Sequence, residues 1–405
     1  MNKRKIINDP VYGFVKIPSE LIFDLIEHPF FQRLRRIKQL GLSGFVYPGA
    51  LHTRFHHALG AMHLMGLALD TLRNKGHEIS DKEVEASQIA ILLHDIGHGP
   101  MAHGLEHMLT NTSHEQISLL FMKRLNREFG GALQTAISIF EGSYPRKFFH
   151  QLVSSQLDVD RLDYLQRDCF FTGVSEGTIG ADRIIKMLNV YDDELVVEEK
   201  GIYSIENFLT ARRLMYWQVY LHKTCISAEQ MMVQLVKRTK QLLQKGEKVE
   251  TAPNLLLFLQ NSVGLAELEN DPLFLEVFAN LDDIDIWSSV KLWTNHADKV
   301  LSTISRMLLD RKLFQVTLSS EKYDIELIKQ TRGKIARHYQ ISNKQSKYFV
   351  VKGTTTNEAY LSKGEKIKII SKKGKISDIA QASDLPNIKA LRKIVKKYYV
   401  CWARY

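Results

Sequence analysis

Residues 80–100 read SDKEVEASQIAILLHDIGHGP, and they decide the fold. Ser80 followed three residues later by Glu83 is a capping box: the hydroxyl takes the N3 backbone N–H and the carboxylate reaches back to the cap. Ile89, Ile91, Leu92 and Leu93 then supply the apolar face of a helix, and Gly97 is expected to close it. His94 and Asp95 fall at its C-terminal end, where the helix dipole favours cations over acids. A carboxylate beside an imidazole at the end of a buried helix needs compensation, and a bound cation supplies it. The plainer alternative is that Asp95 caps the next turn and His94 is simply packed.

Ten of the chain's 15 histidines lie between His52 and His114. His56 and His57 sit in HTRFHHALG (52–60), and either one can face inward with the apolar side of a helix. Downstream, Asp160, Tyr164 and Asp168 are spaced four and four, so they share one helical face. Two imidazoles and two carboxylates make a mixed nitrogen/oxygen site that suits manganese, iron, zinc or magnesium, and ligand type does not choose among them. Thr112-Ser-His-Glu115 offers a second capping box, opening a helix through Ile117, Leu120 and Leu125. His114 lies in its first turn, where backbone N–H groups favour an anion. Arg212, Tyr216, Tyr220 and Lys223, spaced four, four and three, place two cations and two phenols on one helical face. An amphipathic helix with snorkelling ends reads the same way.

The rest of the chain sets the frame. Its 405 residues are 44% hydrophobic and 25% charged, as in a folded globular protein. No run of about 18 apolar residues announces a membrane span. The opening MNKRKIINDPVYG is basic but lacks a secretory apolar stretch. Cys169, Cys225 and Cys401 are far apart and odd in number, which fits a reducing cytoplasm. The net charge is +10, and from residue 350 onward 13 Lys plus Arg face 4 Asp plus Glu. Such a tail attracts nucleic acid or other polyanions, or is simply a lysine-rich solvated surface.

Residues 19–240 read as mainly helical, interrupted at 195–205 by an expected β-hairpin turning at Lys200-Gly201. Helices resume at 206–240 and 255–310. After Arg311 the texture changes to strands at Phe314–Leu318, Tyr348–Val351 and Ile367–Ile370, with a helix near 321–336. A last helix at 387–397 is followed by a strand, Tyr398–Trp402. The fold class is therefore mainly α: a helical domain over 1–310 with a small hairpin, and a basic C-terminal α+β lobe over 311–405.

Six stretches, in order, resemble one family: FQRLRRIKQL (31–40), Tyr47-Pro-Gly, RFHHALG (54–60), HDIGHGP (94–100), DVDRLDY (158–164) and YLHK (220–223). They resemble the HD phosphohydrolase superfamily, with its H…HD…D signature. Within it they are similar to the deoxynucleoside triphosphate (dNTP) triphosphohydrolases of the dGTPase and SAM-and-HD-domain type, here without the SAM domain. The resemblance covers about residues 5–320. It implies a helical HD-domain core with one divalent metal (Mn, Fe, Mg or Zn) on His57, His94, Asp95 and Asp160, and a further Mg travelling with the triphosphate. His57 is preferred to His56 because the family histidine falls three residues after the arginine, here Arg54.

The same resemblance implies the reaction: a dNTP, with dGTP a candidate for preference, gives deoxynucleoside and inorganic triphosphate. His98, His103 and His114 match the phosphate-side histidines. Glu106, one helical step from His103, is expected to fix its tautomer for proton transfer to the 5′-oxygen. Arg54, Arg161 and Arg212 are the expected phosphate cations, joined by Tyr216 and Lys223. Gln39 and Asp168 are expected to read the 3′-hydroxyl beside Tyr164, with Tyr220 walling off a 2′-hydroxyl. Lys5, Asn8, Gln32 and Arg35 match nucleotide-effector positions between subunits of a dimer or tetramer. Glu27 stands where the family carries a base-reading aspartate. Two other functions fit parts of the pattern: an HD phosphohydrolase acting on another nucleotide, and a nucleic-acid-binding protein using the basic lobe. Cyclic-dinucleotide phosphodiesterases carry a Gly-Tyr-Pro motif that is replaced here by His98-Gly-Pro100.

Overall fold

A computed structural model of the chain describes residues 5–357, 366–386, 388 and 394–405, without the side chain of His103. Six helices shape the site: α1 (Arg54–Asn74), α2 (Asp81–Leu93), α3 (His114–Glu128), α4 (Val159–Thr172), α5 (Ile202–Met215) and α6 (Lys223–Gln244). The Ser80 box forms as read: Glu83 N donates to Ser80 Oγ at 3.3 Å, and Ser80 N to Glu83 Oε2 at 2.8 Å. A cap of this kind stabilises a helix by about 1 kcal/mol. α1 packs against α2 and α4 and is buried around most of its circumference, which is why its sequence shows little polar stripe.

Gly97 does not close α2, which ends at Leu93 with His94 still helical. Its role is close approach. A Cβ on Gly97 would lie 2.2 Å from Ser118 N and 2.4 Å from His114 O, so the absent side chain lets the loop after α2 touch α3. The second capping box is displaced by one residue. Ser113, not Thr112, is the cap, with Gln116 as its partner (Gln116 N to Ser113 Oγ 3.3 Å; Ser113 N to Gln116 Oε1 3.2 Å). Glutamine serves at N3 as well as glutamate, so the sequence held two competing registers. The shift makes His114 the first residue of α3.

The chain's first strands, β1 (Ile6–Asp9) and β2 (Gly13–Lys16), form a hairpin ahead of the helices. The expected hairpin at 195–205 is present but earlier: β3 (Leu188–Tyr191) pairs with β4 (Glu194–Glu198). Its turn is Asp192-Asp193, with φ of +49° and +59°. A two-residue turn needs left-handed residues, and aspartate tolerates that region. Lys200-Gly201 instead leads into α5 through a short 3₁₀ turn. The helix expected over 206–240 is broken. After α5 the chain makes a π turn over Tyr216–Tyr220, and His222 is extended before α6 begins. The helical stretch 255–310 divides at Pro253 and Pro272 and at the caps Asp282 and Asp298.

β5 (Gln315–Ser319), β6 (Val350–Asn357) and β9 (Val395–Trp402) form an antiparallel sheet in the order β5-β9-β6, with a helix at Ile325–His338 between β5 and β6. β7 (Lys368–Ile370) and β8 (Ile376–Asp378) extend the earlier hairpin into the order β3-β4-β7-β8, with β4 and β7 parallel. The helix expected at 387–397 is overturned at its end, because β9 begins at Val395; residues 387 and 389–393 lie outside the described residues. Lys396 and Lys397 disguised that strand start, and cross-strand pairing with Thr355 and Thr356 fixes it. Phe349, Ile369, Val400 and Cys401 join the same buried apolar cluster as Leu59, Ile89 and Phe208. Among the described residues, no helix is long and apolar enough to cross a membrane, and the three cysteines are free.

Candidate active site

α1, α2 and α4 bring the histidine–aspartate set together. His57 is fully buried on the inner face of α1, whereas His56 turns outward and its Nδ1 accepts from Thr53 N at 3.1 Å. The two adjacent histidines are therefore not interchangeable. His57 Nδ1 lies 2.7 Å from Asp163 Oδ2, and His94 Nδ1 lies 2.6 Å from the carbonyl of Ile91. Both acceptors hold the proton on Nδ1 and turn Nε2 the other way. Each Nε2 is buried without a well-aligned hydrogen bond and faces Asp160 Oδ1, at 3.1 Å from His57 and 3.5 Å from His94. Asp95 completes the group, with Oδ1 3.5 Å from His94 Nε2 and Oδ2 3.8 Å from His57 Nε2. A neutral ring held this way turns a lone pair toward a carboxylate, so the cluster calls for a cation. His57, His94 and Asp160 thus form one group able to hold a divalent metal, and Asp95 borders it while forming a second such group with His98 and His114.

The electrostatics show the same demand. Burial alone would push the His57 pKa down, yet the hydrogen bonds and charges of Asp160 and Asp163 push it up to about 10. Burial would raise the Asp95 carboxyl, but His94 and Arg54 hold it well below the usual carboxylate range. Asp160 is depressed likewise, by His57 and His94.

Asp95 is also the hinge to a second group. Its Oδ1 lies 3.4 Å from His98 Nε2 and 4.0 Å from His114 Nε2, and the two rings stack at 3.8 Å. Arg54 forms an ion pair with Asp95 Oδ2. Glu106, expected beside His103, holds His114, taking Nδ1 at 2.5 Å and the backbone N at 2.8 Å. As first residue of α3, His114 has a backbone N–H with no partner inside the helix, and the carboxylate takes it. The His103 side chain lies outside the described residues.

These groups open into a cavity of about 490 Å³. One part of its wall carries Asp95, His98, His114, Asp160, Arg54, Arg161 and Arg212. Arg161 pairs with Asp158, and Arg212 Nη1 lies 3.4 Å from Gln156 Oε1. Another part carries Gln39, Tyr164, Asp168, Tyr216 and Tyr220. Tyr220 donates to Asp168 Oδ2 at 2.8 Å, and His52 Nε2 sits 2.7 Å from Asp168 Oδ1. Lys223 does not join this wall: the break at Leu221-His222 separates it from the Arg212–Tyr220 face and leaves it exposed at the start of α6. The expected effector residues lie apart from the cavity lining. Gln32 donates to Ile26 O at 2.7 Å and accepts from Arg35 Nε at 2.8 Å, Arg35 stacks on Phe55, and Lys5 lies over Phe23. Asn8 sits in β1 and Glu27 ends the helix Glu20–Glu27.

Sequence reasoning gave no role to Asp163, His52 or Glu229. Asp163 precedes Arg167 by four residues and takes it at 3.0 Å, a spacing that signals an i,i+4 pair. No local pattern marks His52, whose partner Asp168 is 116 residues away, or Glu229, which meets the cavity only through the fold.

Residues 54–168 match the HD domain family, and residues 179–254 match the HD associated region. YwfO of Bacillus subtilis is 34% identical over 322 residues, 78% of this chain and 72% of that protein. A crystal structure of a phosphohydrolase from Bacteroides thetaiotaomicron is 53% identical with a TM-score of 0.95, covering 99% of this chain and 100% of that one. The deoxynucleoside triphosphate triphosphohydrolase SAMHD1 of Homo sapiens is 31% identical over 266 residues, 54% of this chain and 42% of that protein, so the matched part spans less than half of that relative. With the histidine–aspartate cluster in place, the chain belongs to the HD-domain phosphohydrolase family.

Proposed function

We propose that the chain hydrolyses deoxynucleoside triphosphates at the α-phosphate, giving deoxynucleoside and inorganic triphosphate, with dGTP a candidate for preference. The observation that carries the reading is that one cavity is lined by Asp95 and Asp160 of the metal group, by three arginines and by the Asp168–Tyr220 pair. The human relative's activity on dNTPs supports it. A divalent cation on His57, His94, Asp95 and Asp160 would supply Lewis-acid polarisation of the phosphoryl group and a more acidic water.

The chain's own residues supply the rest. Arg54, Arg161 and Arg212 offset the charge of the triphosphate. Water oxygen bonds to the α-phosphorus as the bond from phosphorus to the 5′-oxygen breaks, and the 5′-oxygen needs a proton. His114, whose Nδ1 is held by Glu106, would give it from Nε2. The Asp168 carboxylate and Gln39 receive the 3′-hydroxyl, and the Tyr220 ring occupies the space of a 2′-hydroxyl. An effector nucleotide at Lys5, Asn8, Glu27, Gln32 and Arg35, between subunits of a homo-oligomer, belongs to the same reading. The test incubates the protein with each dNTP, singly and in pairs, with Mn²⁺ or Mg²⁺ and separates the products. Deoxynucleoside and intact triphosphate are expected; release of diphosphate or monophosphate would overturn α-cleavage.

A further inference from the structure

The cavity has a wall that the phosphate and sugar groups do not use. Leu40, Gly41 and Ser43 line it from the loop before α1, Gly104 from the turn after α2, and Glu229 from α6. These segments pack on one another. A Cβ on Gly104 would lie 3.4 Å from Glu229 Cγ, and Cys225, one turn before Glu229, reaches Ser43 Oγ at 3.4 Å. Leu40 and Leu221 give the cavity apolar surfaces against which a flat ring can lie. Among the described residues Glu229 has no hydrogen-bond or ion-pair partner, and it is half-buried between the buried Ala228 and Met231 of α6. Burial alone pushes its carboxyl up to about 7, and none of the arginines or histidines of the metal group contributes. The cavity therefore carries a half-buried carboxylate with no charged partner among the described residues, separate from the chemistry.

Leaving such a group without a partner costs stability, so a ligand that satisfies it is favoured. Resting on the dNTP reading above, we propose that Glu229 reads the nucleotide base, favouring one that presents two adjacent N–H donors on a single edge, as guanine does at N1 and its 2-amino group. A carboxylate offers two oxygens side by side and accepts both donors, with charge-assisted bonds. Thymine offers one N–H flanked by carbonyl oxygens, which would face the carboxylate with like charge. A site built to satisfy paired donors discriminates strongly against a base lacking them.

The experiment is an internal competition. The metal-loaded protein receives an equimolar mixture of the four dNTPs at about pH 8, where the carboxyl is ionised, and the deoxynucleosides released early are quantified by chromatography. Every substrate meets the same effector and folding state, so the product ratio is the ratio of kcat/KM. Wild type is expected to release deoxyguanosine ahead of thymidine. In Glu229→Gln, one accepting oxygen becomes a donor, and in Glu229→Ala both are removed; each is expected to lower the deoxyguanosine-to-thymidine ratio at least about tenfold. A ratio unchanged in both variants, or a wild type that releases the four nucleosides equally, overturns the assignment of Glu229 and leaves the dNTP reading standing. Release of no deoxynucleoside from any dNTP overturns the dNTP reading itself and this inference with it.

Discussion

Asp163 touches no substrate in the proposed reaction, yet its replacement by Asn is expected to weaken metal binding. Its Oδ2 holds His57 Nδ1 at 2.7 Å and Arg167 Nε at 3.0 Å, and its Oδ1 lies 3.0 Å from Arg167 Nη2. Asp163 and Arg167 are both fully buried. An amide of the same shape turns a donor toward either the imidazole N–H or the guanidinium. Breaking a buried charge pair from one side costs about 3–5 kcal/mol. Asp9 still holds Arg167 Nη1 at 2.8 Å, so the lower end, about 3 kcal/mol, is expected. Against a total of about 5–15 kcal/mol the variant stays folded. Loss of the group that orients a metal-binding imidazole weakens metal affinity by about 10–100-fold.

The assays are denaturant unfolding and chelator competition for Mn²⁺ on the folded variant, with activity measured at saturating metal. Activity should recover substantially at saturation, because only affinity and orientation have changed. Burial raises the Asp163 pKa, but Arg167 and His57 outweigh it and hold the carboxyl low. A depressed acid stabilises above its unfolded value, about 3.9, and that contribution is lost as pH falls through the folded value. The stability gap between wild type and variant should therefore close in acid. Metal affinity unchanged in a folded Asp163→Asn protein would refute the orienting role.

Gly97→Ala places a methyl group against Ser118 N and His114 O, so about 3 kcal/mol of stability should go, together with activity through displaced His114; an active protein of wild-type Tm would show that the loop yields freely. Tyr220→Ala removes the ring whose hydroxyl donates to Asp168, and the dNTP/NTP ratio of kcat/KM should fall at least about tenfold; an unchanged ratio removes Tyr220 as the gate. Glu229 has a folded pKa raised from 4.5 to about 7, so its ionised form destabilises the fold: the cost is absent below 4.5, grows as pH rises toward 7 and is full above it. Glu229→Gln should accordingly gain about 1–3 kcal/mol on wild type at alkaline pH compared with acid pH, and an equal difference at both ends would contradict a strained carboxylate.

What the sequence shows is what short-range chemistry controls. The Ser80–Glu83 box, the helix into Leu93 and the adjacency of His94 to Asp95 are local, and each stands where it was read. Where two local solutions were equivalent, the hydrogen-bond partners a few residues away chose. Ser113 displaced Thr112 because Gln116 completes its box, and Asp192-Asp193 displaced Lys200-Gly201 because Leu195–Val197 pairs backward. His57 and His56 could not be separated by residue chemistry, since both lie in the first turn of the same apolar helix; burial against α4 separates them. The π turn at Tyr216–Tyr220 was illegible for another reason: five residues with ordinary helical propensity carry no sign that the hydrogen-bond period has widened. His52 and Glu229 became visible only when segments far apart in the chain met.

The basic C-terminal segment shows how a charge count can hide a structural role. Among its described residues, Lys352, Lys372, Lys373, Lys375 and Lys396 are exposed. Its inner positions, including Val350, Ile369 and Cys401, complete the core. It also reaches the cavity wall from behind. Lys397 Nζ lies 4.0 Å from the ring of Trp217, inside the π turn that presents Tyr216 and Tyr220 to the cavity, and Asn357 Nδ2 donates to Arg213 O at 3.3 Å, beside Arg212. A cation held over an indole and an amide bonded to a helix-end carbonyl both restrain the turn whose backbone has left the regular helical ladder. Deleting the segment to look for a polyanion role would therefore remove the support of the sugar-facing tyrosines along with the charge. Neutralising Lys372, Lys373 and Lys375 changes the charge and leaves both contacts to the π turn intact, so only that substitution separates attraction of polyanions from support of the site.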